Sequence, residues 1–208
     1  MNSKHRSQLA LWLFNPFQRI AGWPSLLFGV TAIVIASIIG AQKNVHFDGV
    51  LDTHVGPPFP VWFFIGEGII NWISLTAILW MAGKAVSQTS FRAVDLFGTQ
   101  AFARWPTILI ATSALLPGFH RFTDQLVRAL QVNPTAPQVT FASSDALMFL
   151  AVTVSMLIGL VWMVALMWKS FSLCCNVRGP KAIVAFVVSL IAAEVLSKVL
   201  IMQLPNFL

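Results

Sequence analysis

Three ionisable residues fall inside stretches that are otherwise apolar: Glu67, Glu194 and Lys198. Carboxylates and an amine in such a setting can hold an ion, a proton or a lipid headgroup. Each costs about 2.5–3.5 kcal/mol at the centre of a bilayer unless it finds a partner or water. Glu194 and Lys198 are spaced i,i+4, on one helix face, in the Glu-before-Lys order that favours pairing. Glu67 and Lys198 both fall roughly 6–10 Å inside the same end of their helices, at about 1.5 Å per residue. All three can therefore meet. Asn71, one turn deeper than Glu67, can extend the network or bond between helices. The expected pair is Lys198 with Glu67, across the interface of the two helices that carry them. Two readings stay open, a functional polar site and an ion pair that only holds helices together.

A second constellation lies in a polar connector, where His46, Asp48, Asp52 and His54 form a near-palindrome. Imidazole and carboxylate can ligate Zn²⁺ or another divalent ion. The spacing matches no established metal motif, and a solvated polar loop is the alternative reading. Cys174 and Cys175 are adjacent, without the separated pairs of a structural zinc site, and read as small apolar residues at a helix end. There is no HExxH, no glycine-rich phosphate loop and no nucleophile elbow, and His5 and His120 stand alone. No catalytic residues and no cofactor are expected, so the chain does not read as an enzyme.

The elements that must position these groups are long apolar runs. They extend from about Pro24 to Ala41, Pro60 to Ala82, Ala101 to Phe119, Ala146 to Trp168 and Lys181 to Met202. Each has about the ~20 residues an α-helix needs to cross a bilayer core. Only 10% of the 208 residues are charged and 57% are hydrophobic, with mean hydropathy +0.79. A soluble domain would carry about a quarter charged residues. The expected fold is all-α, a single transmembrane bundle of five helices spanning residues 23–208. Residues 1–22 precede it as a short interfacial segment, with Leu9, Trp12, Leu13, Phe17 and Ile20 at helical spacing. Ser90 is placed to cap a helix leading into the third run, and Ser143 or Ser144 to cap the fourth, with Asp145 at its N-terminal dipole. Gly179-Pro180 opens the fifth. Small residues four apart, as in Ala32/Ala36/Gly40, Ala151/Ser155/Gly159 and Ala185/Ser189/Ala193/Ser197, allow close helix contacts.

The net charge of +6 and pI of about 10.0 do not point to nucleic acid, because the cations are distributed by topology. Lys4, Arg6, Arg19, Lys84, Arg92, Arg104, Lys169, Arg178 and Lys181 fall on one side of a five-span threading, and Lys43, Arg121 and Arg128 on the other. The positive-inside rule then puts the N-terminus in the cytoplasm and the C-terminus outside. Arg19, Lys84, Arg92, Arg104, Lys169, Arg178 and Lys181 are expected to face anionic lipid headgroups, the expected partners.

From Asn15 to Met202 the chain resembles the Yip domain family, the Ypt/Rab-interacting membrane proteins and their bacterial relatives. The resemblance rests on Asn15-Pro16-Phe17 leading to Pro24 and on Ser90-Phe91-Arg92-Ala93-Val94-Asp95 running into Arg104-Trp105-Pro106. Trp162 and Arg178-Gly179-Pro180-Lys181-Ala182 complete it. It implies a five-helix bundle with a cytoplasmic N-terminus and no catalysis. The chain lacks the long N-terminal region and Asp-Leu-Tyr-Gly-Pro type motif of eukaryotic members, which points to a bacterial inner-membrane protein. The first expectation for function is a non-enzymatic scaffold, adaptor or trafficking-type factor that engages lipids, itself or other membrane proteins. The alternative is a small-solute or ion permease, or a permease subunit, using Glu67, Glu194 and Lys198.

Overall fold

The computed structural model describes residues 11–132 and 142–204. It is mostly helical, with 77% helix and 2% strand, so the class is all-α. Among the described residues seven α-helices are complete, in order: α1 (Gly22–Ala41), α2 (Val61–Val86), α3 (Ala93–Phe102), α4 (Pro106–Ser113), α5 (Pro117–Val132), α6 (Ser143–Cys174) and α7 (Pro180–Ile201). Between α1 and α2 lies a hairpin of two short strands, β1 (Val45–His46) and β2 (His54–Val55).

Among the described residues four helices, α1, α2, α6 and α7, are long and apolar enough to cross a membrane. Their outer faces fit that setting. On α7, Val184, Val188, Ile191 and Val195 are each about 60% exposed and line one stripe, while Ser189, Ala193 and Ser197 turn inward against α2. Water would not tolerate so continuous an apolar surface, whereas lipid requires it. The chain is an integral membrane protein on these four helices.

The expected third span, 101–119, is not one helix. Proline at 106 lacks the N–H that would continue α3, so the chain turns at Ala103–Trp105 and restarts as α4. Together α3 and α4 run alongside α1 in the same direction. A Cβ on Gly98 would lie 2.4 Å from the Gly22 carbonyl oxygen, and one on Gly29 2.3 Å from the Ala101 backbone, while Arg104 and Thr107 lie level with Ile33 and Ser37. The third run ends at Ser113, and Phe119 belongs to α5. That helix was expected as a connector. It stacks Phe119 and Phe122 on Phe149 of α6, and Arg121 grips Asp145 through two hydrogen bonds of 2.9 and 2.6 Å.

The helix starts need two corrections. α3 begins after Ser90, with Arg92 at its N-cap paired to Asp95, and α6 begins at Ser143 with Ala142 at the N-cap; neither start has a side-chain cap. Gly179 (φ +83°) and Pro180 open α7 as expected. The small-residue stripes of α1 and α7 are internal, but on α6 Ala151 and Ser155 are exposed and only Gly159 packs, against Ile110. In the N-terminal segment, residues 11–14 are helical, Trp162 donates to the Leu13 carbonyl at 2.8 Å, and Phe17 is buried against Phe102. Residues 1–10, with Lys4, His5, Arg6 and Leu9, lie outside the described residues.

Candidate functional site

The palindrome sets the geometry of the site. Valine and histidine recur in mirror order about Val50, so an antiparallel hairpin pairs Val45 with Val55 and His46 with His54. The hairpin caps the bundle between the start of α2 and the end of α7, and its loop is tied down by main-chain bonds to two acids, Glu67, which is buried, and Glu194, which is half-buried. Glu67 Oε2 accepts from the Phe47 N–H at 3.2 Å, Glu194 Oε2 accepts from the Leu51 N–H at 2.8 Å, and Asn71 donates to the Phe47 carbonyl. Glycine at 49 lets Glu194 come this close, since a Cβ there would stand 2.2 Å from its Oε1.

Under the hairpin lies a cavity of about 260 Å³, lined by His46, Asp48, His54, Pro57, Phe59, Phe63, Glu67, Lys198, Ile201 and Met202. Glu67 and Lys198 share this cavity, but the expected pairing between them is not formed. Glu67, 1% exposed, binds His46 Nδ1 through Oε1 at 2.8 Å. Lys198 reaches up to Asp52 at 2.6 Å and back along its own helix to Glu194 at 3.3 Å. The physical reason is that the hairpin brings its own charges between the two helices, and each intramembrane group takes a partner from it. Asp52, beside the Lys198 ammonium, is held below the usual carboxylate range.

Of the four residues considered for a metal, Asp48, Asp52 and His54 present ligand atoms within 4.8 Å of one another. His46 does not join them, because both its ring nitrogens are engaged elsewhere, Nδ1 on Glu67 and Nε2 on the Pro57 carbonyl at 2.8 Å. The Lys198 ammonium already sits on Asp52, where its charge opposes that of a metal ion. The four do not converge, and we assign no metal to them.

Of the residues expected to face headgroups, Arg19, Lys84, Arg92, Lys169, Arg178 and Lys181 are exposed. Arg104 corrects that expectation. It lies at the α3–α4 turn, 3% exposed, beside a void of about 10 Å³ lined also by Ser37, Phe47, Gly68 and Thr107. Its Nε and Nη2 have no hydrogen-bond partner among the described residues. Below Glu67, further buried polar atoms lack partners in the same way, on Asn71 (Oδ1), Ser74 and Gln100 (Oε1). The bundle interior is therefore polar well past the floor of the cavity. Sequence reasoning missed His46 as the partner of Glu67 and Arg104 as an interior charge. The palindrome was the available signal for the first, and Pro106, which forces the turn that turns Arg104 inward, for the second.

At the other end of the bundle a second hollow of about 510 Å³ is lined by Gln88, Thr89, Asn176, Arg178 and Lys181, among others. Nearby, burial pushes the Cys175 thiol up to about 12, so it is no nucleophile. The chain matches no protein-family model, no curated protein and no solved structure.

Proposed function

We propose that this protein is a permease, or a permease subunit, for a small solute or ion, with the hairpin cavity as its binding site. One observation carries the reading: a cavity of about 260 Å³ reaches a carboxylate, Glu67, that is otherwise buried within the bundle. Buried ionisable groups that line a cavity are costly to keep and mark solute or ion paths more often than simple braces. The buried polar atoms of Asn71, Ser74, Gln100 and Arg104 that lack a hydrogen-bond partner among the described residues give such a path polar ground below the cavity. In this reading α3 and α4 together make a fifth, broken crossing, as discontinuous helices do beside binding sites. The basic end of the bundle faces the cytoplasm of a bacterial cell and the hairpin faces outward. The Yip resemblance stays a proposal resting on the residues that carry it. The scaffold reading has no observation of its own, since the apolar faces of α6 and α7 are those that lipid contact requires.

The test is flux. Purified protein in sealed liposomes should pass at least one of sodium, chloride, glycine and glucose down a gradient, and Glu67→Gln should cut that flux at least tenfold. Liposomes no leakier than protein-free controls, or wild-type flux through Glu67→Gln, would reject the permease reading.

A further inference from the structure

His46 is held between two acceptors. A carbonyl oxygen offers only lone pairs, so the 2.8 Å contact with Pro57 requires the hydrogen on Nε2. The other nitrogen, Nδ1, lies 2.8 Å from Glu67 Oε1. A neutral histidine with its hydrogen on Nε2 would there set a nitrogen lone pair against a carboxylate lone pair. A hydrogen bond at that distance needs a proton between them. The pair therefore holds one proton more than a neutral histidine beside an ionised glutamate would. Both residues are buried, His46 3% and Glu67 1% exposed, which favours the state in which the pair as a whole is neutral.

The charges around the pair select what could replace that proton. Asp48 lines the cavity beside the pair from the loop, His54 from β2 and Lys198 from α7, with Asp52 and Glu194 on the Lys198 ammonium, and Arg104 lies below at the α3–α4 turn. Asp48, Asp52 and Glu194 outnumber the cations Lys198 and Arg104 by one, and the His46–Glu67 pair, neutral while it holds the shared proton, adds a second unmatched negative charge once that proton leaves. The cavity thus attracts positive charge. Its remaining wall is apolar and partly aromatic, with Phe59 and Phe63 stacked at 4.1 Å, a surface suited to a weakly hydrated cation.

We propose that His46 and Glu67 form a proton-exchange site, at which a monovalent cation or small organic ammonium entering the cavity displaces the shared proton. The cation binds the Glu67 carboxylate, the proton leaves to water, and His46 remains neutral with its hydrogen on Nε2. One positive charge replaces another, so the buried charge is unchanged. Burial lowers the His46 pKa, but the hydrogen bonds to Glu67 and Pro57 and the nearby negative charges outweigh it and leave it raised. The shared proton is thus held to a higher pH than on a free imidazole, and cation binding must compete with it. This inference rests on the cavity being a solute site and does not require transport.

The experiment uses the full chain in detergent and a weakly buffered solution with a pH indicator. Sodium, potassium and methylammonium chloride are titrated in turn. At least one should release close to one proton per protein at saturation. By linkage, its affinity should rise up to tenfold per pH unit while the pair is protonated and level off above. His46→Gln should abolish the release, and His120→Gln, on α5 and outside the cavity lining, should leave it intact. Cation binding without proton release, no binding of any of the three, or release unchanged in His46→Gln would overturn the proposal. If His46→Gln fails to fold, the wild-type proton count decides alone. Proton release without liposome flux would reject the permease reading and leave this one standing, and flux without proton release would do the reverse.

Discussion

Glu67 and Lys198 line one cavity yet answer to different partners, and this has a measurable consequence. Substitutions that share no interaction add, within about 0.5 kcal/mol. Glu67→Gln and Lys198→Met should therefore lower thermal stability in detergent additively, whereas Lys198→Met and Asp52→Asn, which break one bridge, should cost less together than the sum. A strong coupling between Glu67 and Lys198 in that double-mutant cycle would contradict the geometry. The sequence showed which groups are charged inside apolar runs, and it showed that Glu194 and Lys198 share a face. It did not show the pairing, because the deciding partners, His46 and Asp52, come from a loop whose path is set by tertiary contacts. The mirror order of Val45-His46 and His54-Val55 held that information, but a palindrome becomes a hairpin register only once the strands are known to pair.

Among the elements, α1, α2, α6 and α7 follow from hydropathy and length alone, and their observed bounds lie within six residues of the apolar runs. The third run misled because hydropathy does not register a missing N–H. Pro106 divides it, and α3 and α4 each pack on α1 as short pieces. The amphipathic α5 was legible in Phe119, Phe122 and Leu126, which recur at helical spacing among Arg121, Asp124, Gln125 and Arg128. The α1–α3 contact is the tightest of these packings at the backbone level, with no room for a methyl group at Gly29. Gly29→Ala should destabilise the protein by about 1–3 kcal/mol, the usual cost of overpacking. Ala151→Leu, on the exposed face of α6, should be near neutral in the same thermal melts. Equal effects at the two sites would mean that α1 and α3 do not approach as described.

For the whole molecule, the two ends of the bundle differ in chemistry. One carries the proton-sharing pair under a hairpin, and the other carries exposed cations around a hollow with Arg178 and Lys181 at its rim. In the proposed orientation that hollow meets the anionic cytoplasmic leaflet, where each cation contributes about 1 kcal/mol. Replacing both by glutamine should weaken binding of anionic lipid roughly thirtyfold, read by native mass spectrometry, and unchanged binding would place the lipid contact elsewhere. The ties between hairpin and α7 join residues 143 and 146 positions apart, Leu51 with Glu194 and Asp52 with Lys198. A chain emerging from the ribosome N-terminus first inserts α1 and α2 while α7 is still to be made. The hairpin can already meet Glu67, but its loop stays unanchored and Asp52 lacks its counter-charge until α7 enters. The cavity is thus closed only when α7 inserts, so a chain terminated before α7 has no finished site and exposes an unpaired acid to quality control.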